Sequence, residues 1–407
     1  MIGGPANMYN LFSEFPAGSY AILTGYTALR QSGVNGSKWL SGRYFFYDHW
    51  RRVDKQFSLP APGAAGSVPA PSRLAKIINH LPGRTLIGNA VIMLGKIILM
   101  TITGVWAVVR TRSNLLLGIS DHGPALIATY LIGILTGRPY ALHLYDIYLG
   151  NNLNGFDRAL ARLFEKRVFT TAQVVIVTNE GTADFYQARY GKAIKLAVIH
   201  NSVMAADYSN SRRLSPQSTS RKIIFTGHVY WAQEQAVLNL VKAMSSLSGV
   251  TLDLYVPQPT PLLVKAVKGK KNIRLLEAAQ SLMPRIQAGA GLLFMPLAWE
   301  TPSPDIIRTA TPGKFSDYLA SGRPMLVHAP DYAFVAQYSR KHQLAVVVDE
   351  NNVEKLAEAI RQFFANPTSG QQLVNNALNA FDRDYSAEKN AQKLALLLQS
   401  ALKKNPA

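Results

Sequence analysis

The sequence predicts an α/β protein built from two parallel-sheet domains in series. Three observations carry this reading. The chain has 407 residues, which exceeds what one core organises and fits two domains of about 200 residues. Short apolar runs of strand length alternate with segments of helical period, the pattern of a parallel sheet covered by helices on both faces. The alternation stops in a serine-rich polar stretch, residues 202–220, and then restarts.

Composition narrows the function classes. With 48% hydrophobic residues the chain is a folding one, not a disordered one. No cysteine is present, which excludes a disulfide scaffold, a thiolate metal site and a cysteine nucleophile, and fits a reducing compartment. The net charge is +19, divided as +11 over residues 1–204 and +8 over 205–407. Such a balance suits nucleic acid, an anionic membrane face or a phosphorylated small molecule. No basic helix, zinc-finger spacing or RNP-like strand supports nucleic acid, which is not expected as a partner. The first 20 residues lack a basic n-region and a continuous apolar run, so a cytoplasmic location is expected.

Taken in order, the elements run as follows. A Gly-Gly pair, Gly3 and Gly4, precedes a helix and lets backbone N–H groups approach an anion. Residues 85–109 form the most hydrophobic stretch. Lys96 near its centre leaves uncharged runs too short to span about 30 Å of hydrocarbon. It reads either as a buried helix followed by a strand or as a helix lying in a membrane interface. Arg73, Lys76, Arg84, Arg110 and Arg112 flank it and suit anionic lipid. Strands are then expected at 114–119, in the run PYALHLYDIY at 139–148, at 172–178 and at 196–200, with helices at 124–136, 157–170 and 180–190 between them. After the polar stretch come strands at 222–226, 250–256, 273–276, 291–295, 324–328 and 344–348. Helices are expected at 233–247, from 314, at 353–364 and at 387–402. The domains are accordingly residues 1–202, a linker 203–221, residues 222–374, and a helical tail 375–407 that packs back on the first domain.

In open α/β sheets, ligands sit at the carboxyl ends of strands. The residues there are the candidates. His143 and Asp146 end the strand in ALHLYDIY and can offer a base or orient a sugar hydroxyl. Asp121 and His122 follow the preceding strand and are placed on the same side. In the second domain Gly227 follows the first strand, in FTGHVYW, as a phosphate-facing glycine would. The segment TPGKFSDYLASGRP (311–324) delivers Lys314 at a helix start, where ammonium and helix N-terminus together favour a diphosphate. Asp317, one turn on, can accept hydrogen bonds from vicinal hydroxyls.

These segments, GGPANMYNL, LHLYDIY, VIVTNEGTADFY, VIHNSV, FTGHVYW and TPGKFSDYLASGRP, occur in the order of the family-4 glycosyltransferases, and the chain resembles that family over nearly its whole length. The resemblance implies the GT-B fold, two Rossmann-like domains facing across a cleft. It implies a nucleotide sugar as co-substrate, held by the second domain. Asp317 matches the acidic residue on the ribose, and Gly313 and Lys314 match the loop at the diphosphate. Gly3 and Gly4 match the loop that meets acceptor and donor phosphates, and Asp146 the polar residue beside the acceptor.

Three departures from the family pattern are visible. Thr309 stands where many members carry the first of two glutamates. The loop GHVYWAQ offers only His228 where a basic pair is usual, so phosphate contacts fall to Arg308, Lys314 or backbone. The strand that usually leads into the Gly-Gly loop is missing, and the first sheet is expected to lack it. The implied reaction is hexosyl transfer with retention, without a metal or other cofactor. The hydrophobic segment and the basic first domain point to a lipid-linked or glycan acceptor at the inner membrane face, reached by peripheral attachment. Rival readings are a non-catalytic sugar-nucleotide binder, a nucleic-acid-binding protein, and an epimerase of the same fold.

Overall fold

A computed structural model describes residues 4–16, 18–25, 40–48, 86–120, 123–212, 221–366 and 369–403. The chain divides into two units: residues 1–199 with 391–407, and residues 200–390.

The first unit opens with α1 (Gly4–Phe12) and a parallel pair, β1 (Ala21–Thr24) and β2 (Arg43–Phe46). A single long helix follows, α2 (Leu86–Thr111). The alternative of a helix followed by a strand is thereby corrected. Lys96 is exposed and costs no desolvation, and Gly104 is used rather than merely tolerated. A Cβ there would come within 2.2 Å of Ile132 Cδ1, so the glycine sets the distance to the next helix. Then come β3 (Leu116–Ser120), α3 (Pro124–Thr136), β4 (Tyr140–Leu144), α4 (Gly155–Thr170), β5 (Val175–Val177), α5 (Glu180–Tyr190) and β6 (Leu196–Val198). Strands β3 to β6 form one parallel sheet in sequence order. Strand β4 is buried along its whole length, as a central parallel strand covered on both faces must be. Local sequence sets the helix ends. Pro124 opens α3 and Gly137, at φ 67°, closes it. Asn154 and Asn179 accept backbone N–H bonds at the starts of α4 and α5.

Among the described residues β1 and β3 are not paired. Both line one cavity of about 1530 Å³, together with α1, α2 and α3. Among the described residues the first unit's strands thus stand as a pair and a four-stranded sheet.

The second unit begins with α6 (Ala205–Arg212). It continues through β7 (Lys222–Thr226), α7 (Glu234–Ala243), β8 (Thr251–Tyr255), α8 (Pro261–Val267), β9 (Ile273–Leu276), α9 (Met283–Ala288) and β10 (Leu292–Pro296). After these come α10 (Pro304–Thr309), α11 (Gly313–Ala320), β11 (Met325–His328), α12 (Phe334–Lys341), β12 (Val346–Val348), α13 (Val353–Ala365) and α14 (Ser369–Ala380). Six strands make one parallel sheet in the order β12-β11-β10-β7-β8-β9. The order reverses at β7 and β10, and such a switch point is where α/β sheets bind ligands. Two apolar clusters close the two faces: Leu293, Phe315 and Leu319 in one, Phe225, Phe294 and Leu252 in the other. The last helix, α15 (Ala387–Lys403), runs from residue 387 into the first unit, where Leu394 packs with Leu11, Ile176 and Ile199.

Residues 205–212, read from sequence as linker, are helical, and Tyr208 on that helix is buried. The remaining linker residues 213–220 lie outside the described residues.

Candidate functional site

The most developed polar site belongs to the second unit, at the carboxyl end of β7. This strand ends at Thr226, and Gly227 follows with φ +114°. A side chain there would be strained by conformation alone. It would also meet Lys314, whose Cε lies 3.1 Å from the ideal Cβ position. The glycine therefore makes room for the lysine that arrives from α11.

That lysine sits in an unusual place for a cation. It occupies the first turn of α11, where the helix dipole and unpaired N–H groups are positive. Its ammonium donates to Gln233 Oε1 at 2.7 Å and lies 4.0 Å from the centre of the Phe225 ring. Burial pushes Lys314 down to about 7, with Asp317 opposing the shift. Asp317, one turn on, is raised to about 6, again by burial first; the Tyr208 hydroxyl and Lys314 oppose this and Asp207 adds to it. Both side chains keep a solvent-accessible edge. A partly desolvated ammonium at a helix N-terminus is a site short of an anion. Gly313 has open space where a side chain would stand, so the first turn of α11 is accessible to one.

A buried polar chain holds the site from beneath. The Tyr208 hydroxyl is hydrogen-bonded to Asp317 and lies 3.1 Å from Gln287 Oε1. Gln287 Nε2 donates to Thr226 Oγ1 at 3.1 Å, and the Thr226 N–H donates to the Tyr318 hydroxyl at 3.0 Å. The end of β7 and the length of α11 are thus tied together by side chains that are themselves satisfied. Upstream, the Asn201 amide donates to the Thr311 carbonyl at 2.7 Å, fixing the approach to Pro312 and Gly313.

The structure brings Gly227, Gly313, Lys314 and Asp317 into this one site. His228 is exposed immediately after Gly227. Arg308 on α10 is exposed and stacks on the Tyr332 ring at 5.2 Å. Thr309 is buried, with its hydroxyl donating to the Asp305 carbonyl inside α10. Sequence reasoning did not single out Gln233, Tyr208 or Gln287. Gln233 had a signal: it precedes a helix six residues after Gly227. Tyr208 had little, because its helix carries one large apolar residue among serines and charges.

In the first unit the candidates fare differently. Gly3, Asp121 and His122 lie outside the described residues, as do Arg73, Lys76 and Arg84. Gly4 opens α1. His143 requires a correction. It is fully buried in the middle of the sheet, paired in register with Ile119 and Ile176. Neither ring nitrogen has a hydrogen-bond partner, and burial lowers it to about 4. A neutral imidazole closed off from solvent is not placed to exchange a proton with a substrate. Asp146, just past the end of β4, is only half-buried. The loop after it is clamped. The Tyr148 N–H donates to the Tyr186 hydroxyl at 2.8 Å, and the Leu149 N–H to Glu165 Oε2 at 2.7 Å. Glu165 is itself buried, accepts from Tyr190 at 2.5 Å and lies 3.6 Å from Arg189.

Known proteins share part of this sequence and its fold. Residues 58–202 match the family described as the glycosyl transferase 4-like domain. No curated protein matches the chain by sequence. Among solved structures, sucrose-phosphate synthase from Thermosynechococcus elongatus superposes with a TM-score of 0.58 at 14% identity, over 84% of this chain and 83% of that one. A glycosyltransferase from Rickettsia africae gives 0.57 at 12% identity, over 82% and 89%. HepE of Anabaena in complex with UDP-glucose gives 0.58 at 16% identity, over 75% and 84%. The fold of this chain is that of the GT-B glycosyltransferases, with two Rossmann-like domains.

Proposed function

We propose that the protein is a glycosyltransferase that takes a sugar from a nucleotide-diphosphate donor held by the second unit. The observation that carries this reading is Lys314. It stands at the first turn of α11, against Gly227 and one turn before Asp317, in a setting that weakens its own charge unless an anion arrives. A diphosphate supplies that anion. As the bond between sugar and diphosphate breaks, its electron pair stays on the departing phosphate oxygen. Lys314 and the first N–H groups of α11 stabilise the developing charge. Asp317 accepts from the ribose hydroxyls, with Tyr208 fixing its orientation. The polar chain through Gln287 and Thr226 keeps these groups in place before the donor binds.

The finer parts of the reading are proposals of the same kind. The sugar is a hexose transferred with retention, and the site needs no metal. The acceptor is a lipid-linked or glycan hydroxyl, met on the side of Asp146, at the cytoplasmic face of a membrane during envelope or polysaccharide synthesis. With His143 buried, no general base from β4 enters the scheme. That burial is also what favours the second reading, a sugar-nucleotide binder that does not turn over.

The test is thermal stability against UDP, GDP and dTDP and their sugars. Saturation at a hundredfold excess over Kd raises stability by about 2.7 kcal/mol. One base should stabilise selectively, and Asp317→Ala and Lys314→Met should abolish the effect. No stabilisation by any nucleotide diphosphate would overturn the reading. Binding without release of sugar to lipid or glycan acceptors would select the non-catalytic one.

A further inference from the structure

Helix α2 presents a surface that the donor site does not explain. Val91, Leu94, Ile98, Ile102, Trp106 and Val109 recur every three or four residues, and each is 40–71% exposed. Their spacing puts them on one line, about 27 Å long at 1.5 Å per residue. No charged or polar side chain interrupts it; Gly95 and Val105 fill the remaining positions of that face. Soluble helices turn such a stripe inward, and an exposed apolar patch of this extent marks an interaction site.

The opposite face of α2 is committed to the first unit. Ile97, Thr101, Gly104 and Val108 are buried, and α2 packs on α3, β1, β2 and α4. By length and composition alone α2 could cross a membrane, but a third of that apolar span is buried in the protein. Crossing would strip away contacts as close as Gly104 on Ile132. The helix can keep its packing and still bury its outer face only by lying flat.

The neighbouring helix says against what. α4 carries Arg158, Arg162, Lys166 and Arg167 exposed, with Leu163 exposed among them at 71%. Its two acids do not balance these: Glu165 is buried, and Asp157 is bonded to the Asn154 cap. Arg162 and Lys166 carry no ion pair among the described residues. Trp106 is held edge-on to Phe45 at 5.2 Å, a fixed indole on an apolar stripe, as suits the headgroup boundary. An apolar line beside a basic ridge is complementary to an anionic bilayer. A protein partner would need polar groups distributed around the stripe to match its own rim.

We propose that the first unit docks on an anionic lipid surface through α2 lying in the interface, with the basic ridge of α4 on the headgroups. This deepens the membrane-face part of the functional reading, but it is tested separately, because the surface and the donor site lie in different units.

The test uses the full chain and sedimentation with large vesicles, either pure phosphatidylcholine or containing 30% phosphatidylglycerol. Binding should appear on the anionic vesicles at low salt and weaken as salt is added. Replacing Arg162 and Lys166 by Gln should lower partitioning roughly 30-fold, at ~1 kcal/mol per basic residue. Ile98→Glu with Ile102→Glu should abolish it. Both positions are exposed, so the melting curve and the response to nucleotide diphosphate should stay as in the parent. Brominated lipid should quench tryptophan emission, and Trp106→Phe should remove that quenching. Absence of binding to anionic vesicles at low salt would overturn the proposal, as would binding that survives the two glutamates. A chain that sediments as a dimer, dissociates on Ile98→Glu and ignores vesicles would assign the stripe to a second copy instead, and would overturn it too. Loss of nucleotide binding in the parent, with vesicle binding retained, would sink the donor-site reading alone.

Discussion

The two units use the same strand–helix alternation and close it to different degrees. In the second, six parallel strands run without interruption and both faces carry apolar clusters. In the first, among the described residues, a strand pair and a four-stranded sheet flank a cavity of about 1530 Å³, and helix α2 leaves one apolar face exposed. The contrast teaches where chemistry can be built. A polar site needs side chains held to within fractions of an ångström. Lys314 and Asp317 have such support, because β7 and α11 are bound together through a sheet with no gap. The first unit offers surfaces and a clamped loop, and its candidate base His143 is sealed inside β4.

The largest test of this contrast is mechanical. Leu293 is wholly buried in the second unit, within β10. Leu23 on β1 lines the first unit's cavity and is only half-buried. Leu293→Ala should cost about 3 kcal/mol, the usual price of a close-packed leucine. Leu23→Ala should cost about 1 kcal/mol or less, because a side chain beside a cavity has fewer neighbours to lose. Urea unfolding, followed by hydrogen exchange to tell the units apart, measures both. Equal losses would mean that the first unit is packed as tightly as the second, and the contrast would fall.

A smaller effect concerns charge. In the folded protein Lys314 titrates at about 7 and Asp317 at about 6. Diphosphate affinity should therefore fall as pH rises through 7, where the ammonium is lost. It should fall again below 6, where the carboxyl takes a proton and stops accepting from ribose. Stability responds with the opposite sign at the alkaline end. The unfolded lysine keeps its ordinary value near 10.5. Between 7 and 10.5 the unfolded chain holds a proton that the folded one has released, so stability rises with pH across that window. Asp317 acts in the acid range. Between its ordinary 3.8 and about 6 the folded chain holds the extra proton, so its contribution is lost as pH rises. Lys314→Met should flatten the alkaline rise in stability. Urea titrations between pH 5 and 10 read it directly.

What could be read from the sequence follows the same division. Strand β7 was legible to the residue, since KIIFT is apolar, β-branched and bounded by a charge and a glycine. So were Lys314 and Asp317, because a Pro-Gly turn before a helix declares its own N-terminus. The conformation of α2 was not. An apolar run with a central lysine fits a buried helix, a strand boundary or an interfacial helix, and only tertiary packing decides. His143 misled for a related reason. In a parallel sheet covered on both faces, strand residues alternate between two buried sides, so a polar residue inside the run points into protein wherever it faces. Asp146, two residues past the strand, escapes that rule. Tyr208 was hidden by composition: a serine-rich stretch reads as linker, although one buried tyrosine was enough to dock its helix.

The finest prediction isolates how the second unit holds its lysine. The Gln233 amide oxygen, 2.7 Å away, is a neutral acceptor for the Lys314 ammonium, and the Phe225 face contributes without directionality. Gln233→Leu keeps the volume and removes the acceptor. A hydrogen bond to a charged donor contributes about 1.5 kcal/mol or more, which corresponds to roughly one pH unit. The alkaline midpoint of nucleotide binding should therefore move down by about that amount, with little change in the acid limb, which belongs to Asp317. A midpoint that stays in place would mean that the ammonium is held chiefly by the ring face and solvent. A midpoint that moves together with the acid limb would mean that Lys314 and Asp317 titrate as a pair and that Gln233 acts on both.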